Sequence, residues 1–481
     1  MANTNLQLHT SAYLPRAEYR RRVYTSLPSL TQNPAQEAAE RFWQSRLYFP
    51  VLFAVAALFL MAGEGVAGGI LLVAFACFML VFCSDLFSCL FPFLLTIFVT
   101  IDYFSDYTAL LPYWYIAIPI LVALLYHQSK YAVKVHIGVC FSGLVMVAAA
   151  TLLGGVGRIS LQTYFKPVSL YYTVGLGAVM LLVYLGVKSQ SAQGCRSRML
   201  SKFLTILYVS GLFVALLLAR YYLMHLREFL ATFSVQELCC RNFCATILLL
   251  ALPISFQKAL TRPLHLIGAV VIYLAILLTG SRSGLLLGSL LVLLGIVYLL
   301  RYDARRRNVY QMALLLGSVP VLLLGYVLVS SLFSSRMVDG NFISSYDNVR
   351  LEFLVQALRD FNNNPMFGQG LVCTANRDIF EGAPGSMIFY HNYFAQIIGS
   401  MGLVGLAAYG FQFFGRVRLL WSKRSPLVVA AALSFLGVFL MSMTNPGEFC
   451  PLPNELLVVL LFALLEDCPD HAGAACPGTV Q

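Results

Sequence analysis

Long runs of apolar residues alternate with short polar segments along most of the 481-residue chain. A helix needs about 20 apolar residues to cross the hydrocarbon core of a bilayer, and fourteen runs approach this length. The runs are residues 47–62, 66–83, 86–101, 109–126, 133–153, 168–187, 203–224, 243–256, 264–279, 284–300, 309–333, 392–415, 427–443 and 452–466. Three of them (86–101, 243–256 and 452–466) are short for a span, so the pattern predicts about 12–14 transmembrane helices.

One long polar segment, residues 334–391, interrupts this pattern between two apolar runs. Loops longer than about 12–15 residues are usually functional or disordered. The sequence therefore predicts an all-α fold, a polytopic transmembrane helical bundle with one large extracytoplasmic loop that contains short helices. The predicted divisions are an N-terminal tail (1–46), spans 1–11 (47–333), the large loop (334–391), spans 12–14 (392–466) and a C-terminal tail (467–481).

The composition is that of an integral membrane protein. Hydrophobic residues make up 59% of the chain, charged residues 11%, and the mean hydropathy is +0.78. Soluble domains carry about 25% charged residues, so a soluble enzyme is excluded. The net charge of +11 comes mostly from Lys and Arg in short loops. This distribution excludes a nucleic-acid partner and makes the lipid bilayer the expected surroundings. The 12 cysteines show no spacing typical of a metal site, and no metal is predicted.

The distribution of basic residues predicts the orientation. The first 46 residues lack the apolar region of a signal peptide, and about two thirds of the 32 Lys and Arg residues lie on the same side as this segment. Because basic loops stay in the cytoplasm, both termini are predicted to be cytoplasmic and the loop 334–391 to lie outside. By this map Arg416 is cytoplasmic, Glu448 and Glu455 are outside, and the spans are nearly free of charge.

The first candidate for chemistry is Arg282, in the sequence Thr-Gly-Ser-Arg-Ser-Gly at residues 279–284. Two apolar runs flank this motif with almost no loop, so Arg282 is expected at the outer membrane boundary. Small residues on both sides allow a tight turn and close backbone packing. An arginine at this depth either snorkels to the headgroups or faces a polar pocket, and the sequence leaves both interpretations open.

A second arginine, Arg350, lies on a predicted helix within the large loop. Apolar residues recur at steps of three and four over residues 347–361, as in an amphipathic helix, and the segment 362–365 ends it. Arg350 falls in the first turn, which is the unfavourable end for a cation, and this indicates an anionic partner from elsewhere. Arg359, nine residues later, is expected to be a solvated charge.

The loop closes with a glycine turn and a histidine. Gly368 and Gly370 form a tight turn that is too short to be identified as a phosphate loop by itself. His391 stands where the next apolar run begins. Histidine is the usual side chain for proton transfer near neutral pH, whereas a lone histidine at a helix start is more often structural.

Taken in order, these residues resemble the O-antigen ligase and O-antigen polymerase superfamily of bacterial membrane glycosyltransferases. The matching pieces are the turn at 279–284, Arg350 on a loop helix, Asn-Pro-Met-Phe-Gly-Gln-Gly at 364–370, Tyr-His-Asn-Tyr at 390–393, and Gly-Leu-Val-Gly at 402–405. The resemblance covers roughly residues 264–415. Each motif alone is weak, and their common order is the specific feature.

The resemblance implies an enzyme that moves a glycan from a polyprenyl-diphosphate carrier to an acceptor hydroxyl during surface polysaccharide assembly. The reaction would take place on the outer face of the bacterial inner (cytoplasmic) membrane. The acceptor is a lipid in the ligases and a growing glycan in the polymerases, and these motifs do not separate the two. The family requires no nucleotide sugar or cofactor and, in the ligases, no metal.

The family's two functional arginines and loop histidine correspond to Arg282, Arg350 and His391. Arginine binds phosphate oxygens bidentately and keeps its charge. Both arginines are therefore expected to hold the donor diphosphate and to stabilise the charge that develops on this leaving group. His391 is expected to orient or deprotonate the acceptor hydroxyl. Gly368 and Gly370 are further expected substrate contacts.

Several alternatives remain open. Asp102 or Asp106, on an early outer loop, could serve as the base in place of His391. Arg220 and Arg227 are candidate phosphate contacts, or else interfacial anchors beside two tyrosines. A flippase for a lipid-linked glycan would share the spans and the arginines, although such transporters usually show internal repeats and polar residues at mid-membrane. A scaffold subunit that docks through its long loop is a third interpretation.

Overall fold

The computed structural model describes residues 33–105, 113, 115–132, 135, 137–158, 165, 167–190, 196–227, 240–303, 308, 345–371, 389–423, 425–445, 447–449 and 451–468. Several expectations fall outside these residues: most of both predicted tails, the predicted span at 309–333, Asp106, and the loop segments 334–344 and 372–388.

Every regular element among the described residues is helical. In chain order the α-helices are α1 (Pro34–Gln44), α2 (Tyr48–Ala62), α3 (Gly65–Phe82), α4 (Leu90–Val99), α5 (Ala117–Tyr131), α6 (Cys140–Leu153), α7 (Pro167–Val174), α8 (Met180–Ser189), α9 (Arg196–Met224), α10 (Arg241–Ala259), α11 (His265–Leu278), α12 (Arg282–Tyr302), α13 (Ser345–Asn363), α14 (Tyr393–Ser422), α15 (Pro426–Ser442) and α16 (Leu452–Leu465). Two 3₁₀ turns, Leu86–Ser88 and Ile101–Ser105, flank α4, and a π-helical turn, Gly175–Val179, joins α7 to α8.

Six helical segments of the described chain are long and apolar enough to cross a membrane. They are α3, α7 with α8, most of α9, α10, α12 and α14. Helices α1 and α2 qualify together as a seventh, although they meet at a 90° bend. Shorter apolar helices (α4 with its preceding turn, α6, α11, α15 and α16) account for further predicted spans. The polytopic helical bundle is therefore confirmed, while the described segments of full span length number fewer than the 12–14 predicted.

Helix α10 lies at the centre of the bundle, packed against α9, α11, α12 and α15. All its residues from Phe243 to Phe256 are buried. A helix that is apolar on every side can be packed on every side, and here one predicted short span occupies the core. Glycines bring the neighbouring helices close, since a Cβ on Gly211 of α9 would lie 2.4 Å from the Ala251 side chain.

Arg416 of α14 forms a buried ionic group with two glutamates. The arginine is 2% exposed and bonds both Glu448 and, at 2.9 Å, Glu455. The expected charge map had Arg416 and these glutamates on opposite sides of the membrane, and their contact shows that this part of the map is wrong. Charges at membrane depth are costly unless paired, and loop counting does not detect pairs between distant segments.

A second buried ionic group joins α8 to the end of α16. Lys188 is 1% exposed and pairs with Glu466 at 2.7 Å and Asp467 at 3.0 Å. The Tyr184 hydroxyl also donates to Glu466, at 2.7 Å. This group lies at the ends of α8 and α16, so only the Arg416 group corrects the expectation that the spans are nearly free of charge.

Candidate active site

Arg282 is the first residue of helix α12, at the end of a tight turn. Gly280 has a φ of 64°, a left-handed conformation that favours glycine. The Ser281 side chain caps the helix by accepting from the Gly284 amide at 3.2 Å. Arg282 itself is exposed. Anions bind favourably at such a helix start, because the first amides and the helix dipole present positive charge there.

A chain of side-chain hydrogen bonds leads away from this turn. The Ser281 hydroxyl donates to Oδ1 of Asn242 at 3.1 Å, and Nδ2 of Asn242 donates to Oδ1 of Asn445 at 2.8 Å. Two residues before Asn445, the Met443 carbonyl accepts from Nδ2 of Asn392 at 2.9 Å. Through these contacts the turn before Arg282 and the residue after His391 are held by one short loop, residues 443–445.

His391 adopts an unusual backbone conformation at the start of α14. Its φ is 52°, a left-handed value that is uncommon outside glycine. The next residue, Asn392, caps α14 by accepting from the Ala395 amide at 3.1 Å. The half-buried imidazole stacks on Phe353 of α13, with ring centroids 5.4 Å apart and an interplanar angle of 20°. Helix α13 therefore holds the ring of the predicted base.

Helix α13 is the amphipathic helix predicted over residues 347–361, and it packs against α14. The Arg350 backbone belongs to it, one turn before Phe353, while the Arg350 side chain lies outside what the structure describes. The predicted diphosphate ligand and the ring support of His391 thus share one helix. Arg359 is exposed, as expected for a solvated charge.

The sequence analysis did not identify Asp360 and Tyr390, which form a buried pair beside His391. The Tyr390 hydroxyl donates to Oδ2 of Asp360 at 2.5 Å, and Gln356 donates to Oδ1 at 2.9 Å. Burial raises the pKa of the Asp360 carboxyl above its ordinary value, and these two hydrogen bonds oppose that rise. The sequence did contain a signal for this pair. Asp360 is seven residues after Phe353, which places an acidic residue on the apolar face of the helix.

The glycine turn is a packing element in the structure. Gly368 and Gly370 have φ values of 63° and 87°, and their amides donate to the carbonyls of Asn364 and Ser400, each at 2.8 Å. A Cβ on Gly368 would lie 2.4 Å from the Ser400 backbone carbon. These amides are engaged within the protein, and contact of Gly368 and Gly370 with substrate stays a prediction. The turn docks the end of α13 onto the kink of α14 at Gly402.

Arg220 and Asp102, expected as separate candidates, are paired with each other. The Arg220 guanidinium lies 3.6 Å from the Asp102 carboxylate, and their side chains are 15% and 66% exposed. Two residues after Arg220, the Tyr222 hydroxyl donates to the Leu278 carbonyl at 2.7 Å. This bond ties the end of α9 to the turn that precedes Arg282. Arg227 is exposed near the same end of α9.

In a comparison with protein-family models, the family described as O-antigen ligase matches residues 267–410. This stretch begins in α11 and includes the Arg282 turn, α13, the glycine turn and His391. No curated protein matches the chain. Among the described residues, no group of three His, Cys, Asp or Glu side chains could hold a metal ion.

Proposed function

We propose that this membrane protein, whose residues 267–410 match the O-antigen ligase family, transfers a glycan from a polyprenyl-diphosphate carrier to an acceptor hydroxyl. The transfer would take place at the outer face of the bacterial cytoplasmic membrane. One observation carries the proposal: the hydrogen bonds from Ser281 through Asn242 and Asn445 bring together the segments of Arg282 and His391. These contacts support one site built from two motifs more than 100 residues apart in sequence.

In this reaction the acceptor oxygen attacks the anomeric carbon of the donor sugar. The bond between that carbon and the diphosphate oxygen breaks, and its electron pair leaves with the diphosphate. His391 accepts the proton of the acceptor hydroxyl. Arg282 and Arg350 bind the diphosphate oxygens and stabilise the negative charge that grows on them, which lowers the barrier most where water is excluded.

The prenyl tail of the donor has a matching surface below Arg282. Leu286, Leu290, Leu293 and Val297 follow Arg282 along one face of α12 and are 72%, 38%, 61% and 61% exposed. A tail on this apolar stripe would leave the diphosphate at the helix start. A donor with a shortened prenyl chain is therefore expected to bind more weakly, with a raised KM and an unchanged kcat once bound.

The test is transfer by the purified protein in detergent or vesicles. It is given a synthetic polyprenyl-diphosphate glycan and a glycan or lipid acceptor, and product is followed by mass spectrometry. Arg282→Ala and His391→Ala are expected to abolish transfer, and Arg359→Ala, an exposed arginine on α13, is the matched control. Absence of transfer with every donor and acceptor would refute the enzyme, and transfer unaffected by both substitutions would refute the site.

The size of the product distinguishes a ligase from a polymerase. A ligase adds one preassembled glycan to its acceptor and gives a single product. A polymerase uses a lipid-linked glycan as acceptor and gives a ladder.

Transport of a lipid-linked glycan is the second candidate function. The buried ionic group of Arg416 favours it, because polar residues inside the bundle are typical of transporters. Vesicles that contain the protein and a fluorescent polyprenyl-diphosphate glycan would distinguish the functions. Movement of the lipid between leaflets without an acceptor supports transport, and transfer without such movement supports the enzyme.

A further inference from the structure

We propose that Asp360 and Tyr390 are positioning residues for His391, a role that rests on the proposed transferase. Asp360 anchors Tyr390 on helix α13, and Tyr390 in turn fixes the backbone from which the imidazole projects. Neither residue needs to touch the substrate. Their effect on the reaction would pass through the orientation of His391.

The Asp360–Tyr390 pair is fully sequestered. Asp360 is 0% exposed and Tyr390 is 3% exposed. Both carboxylate oxygens of Asp360 have donors, Tyr390 for one and Gln356 for the other. A buried carboxylate with two directed donors is a rigid anchor, because breaking either bond leaves a polar atom without a partner away from water.

Tyr390 is held at both its amide and its hydroxyl, and this fixes the backbone beside His391. Its amide donates to Oε1 of Gln396 at 3.0 Å, while its hydroxyl is held by Asp360. On the other side of His391, Asn392 is held by the Ala395 amide and the Met443 carbonyl. His391 therefore lies between two fixed residues, which explains how a non-glycine residue is kept at a φ of 52°.

One face of α13 supports both the ring and the backbone of His391. Phe353 stacks on the imidazole, and Asp360, seven residues later on the same face, holds Tyr390. Arg350 is one turn before Phe353 on this helix. A shift of α13 would thus move the Arg350 backbone and the ring support of His391 together.

The test uses Tyr390→Phe, Asp360→Asn and the double variant in the full-length protein. Asp360→Asn keeps the shape of the side chain and can still accept one bond, so it remains informative if Tyr390→Phe does not fold. The matched control is Arg359→Gln, next to Asp360 and exposed.

Folding is checked by gel filtration and thermal unfolding. Two readouts follow: kcat and KM for transfer, and the rate at which diethyl pyrocarbonate modifies His391 in the absence of substrates.

For both single variants we expect kcat to fall about tenfold with KM for the donor nearly unchanged. Modification of His391, read by mass spectrometry of its peptide, is expected to accelerate because the imidazole is no longer held against Phe353. The double variant is expected to lose no more than the worse single variant, since the two residues act as one unit.

Unchanged modification of His391 in folded variants overturns the proposal, whether or not kcat falls. Unchanged kcat with faster modification overturns it as well, because the orientation would then not matter for transfer. If the wild-type protein transfers no glycan, the proposed function fails, and the modification rates still decide whether Asp360 and Tyr390 hold His391.

Discussion

Asn242 donates a hydrogen bond from its side-chain amide to the Asn445 side chain at 2.8 Å, and this bond joins the core helix α10 to the loop beside His391. Asn242 also accepts from Ser281, the residue that precedes Arg282. The Asn242 side chain therefore contacts both the turn before Arg282 and the loop beside His391. Asparagine suits this position because its amide both accepts and donates in fixed directions.

Asn242→Ala is expected to lower kcat about tenfold, because a small displacement of Arg282 relative to His391 weakens alignment in the transition state. The loss of two partly buried hydrogen bonds should also destabilise the fold by about 1–2 kcal/mol. Kinetic assays and thermal unfolding measure the two effects. Asn362→Ala, exposed at the end of α13, is the control. Wild-type kcat in a folded Asn242→Ala protein would show that the amide does not align the site.

Arg282→Lys is expected to recover little of the activity that Arg282→Ala loses, and to remain at least about 100-fold below wild type. Lysine keeps the positive charge but lacks the planar fork that binds two phosphate oxygens at once. The measurement is kcat/KM for the polyprenyl-diphosphate donor. Arg262→Lys serves as the control. Arg262 is exposed just before the start of α11, whereas Arg282 lies beyond the other end of that helix. Near wild-type activity in Arg282→Lys would indicate a snorkelling arginine instead of a phosphate ligand.

Gly368→Ala is expected to destabilise the loop helix and reduce the yield of folded protein. The position has a φ of 63°, and a Cβ there would lie 2.4 Å from the Ser400 backbone, so α14 or the turn must shift. The left-handed conformation alone costs a non-glycine residue about 1–3 kcal/mol. Gly410→Ala on α14 meets open space and should have little effect. Equal melting temperatures for the two variants would contradict the packing role.

Local patterns in the sequence predicted helices such as α13, but they did not predict which distant residues these helices contact. The apolar spacing over residues 347–361 predicted α13 to within two residues at each end, because an amphipathic stripe is a property of neighbouring positions. The capped start of α12 at Arg282 follows from the same kind of local rule. These features are encoded within a few residues of where they act.

The contacts between distant segments could not be read in this way. Asp360 finds its donor 30 residues later in Tyr390, and Arg220 finds Asp102 more than 100 residues earlier. The packing of Gly368 and Gly370 against Ser400 was not predicted either, because glycine spacing does not reveal which carbonyls the amides contact. Such pairings depend on how the helices pack, which residue spacing along one segment does not determine.

Arg416→Met is expected to destabilise the protein by about 3–5 kcal/mol, because it leaves two buried glutamates without their cation. Adding Glu448→Gln and Glu455→Gln should recover much of the loss by removing the uncompensated charges. Thermal unfolding of the single and triple variants in the same detergent provides the comparison. A triple variant that is no more stable than Arg416→Met would mean that the group acts through geometry and not through charge.

The stability of the protein should depend on the charge of Asp360. Burial raises the folded-state pKa of this carboxyl above 3.8, its ordinary value, so between these two pKa values the folded state binds more protons than the unfolded state. Stability from this group is therefore fully present below about pH 3.8 and is lost as the pH rises through the folded-state pKa.

Asp360→Asn removes this titration. The melting temperature of the wild type relative to Asp360→Asn is expected to fall as the pH is raised from about 4 to about 7. Arg359→Gln should follow the wild type throughout. Parallel curves for wild type and Asp360→Asn, or a difference that grows in favour of the wild type as the pH rises, would show that burial does not disfavour the ionised form of Asp360.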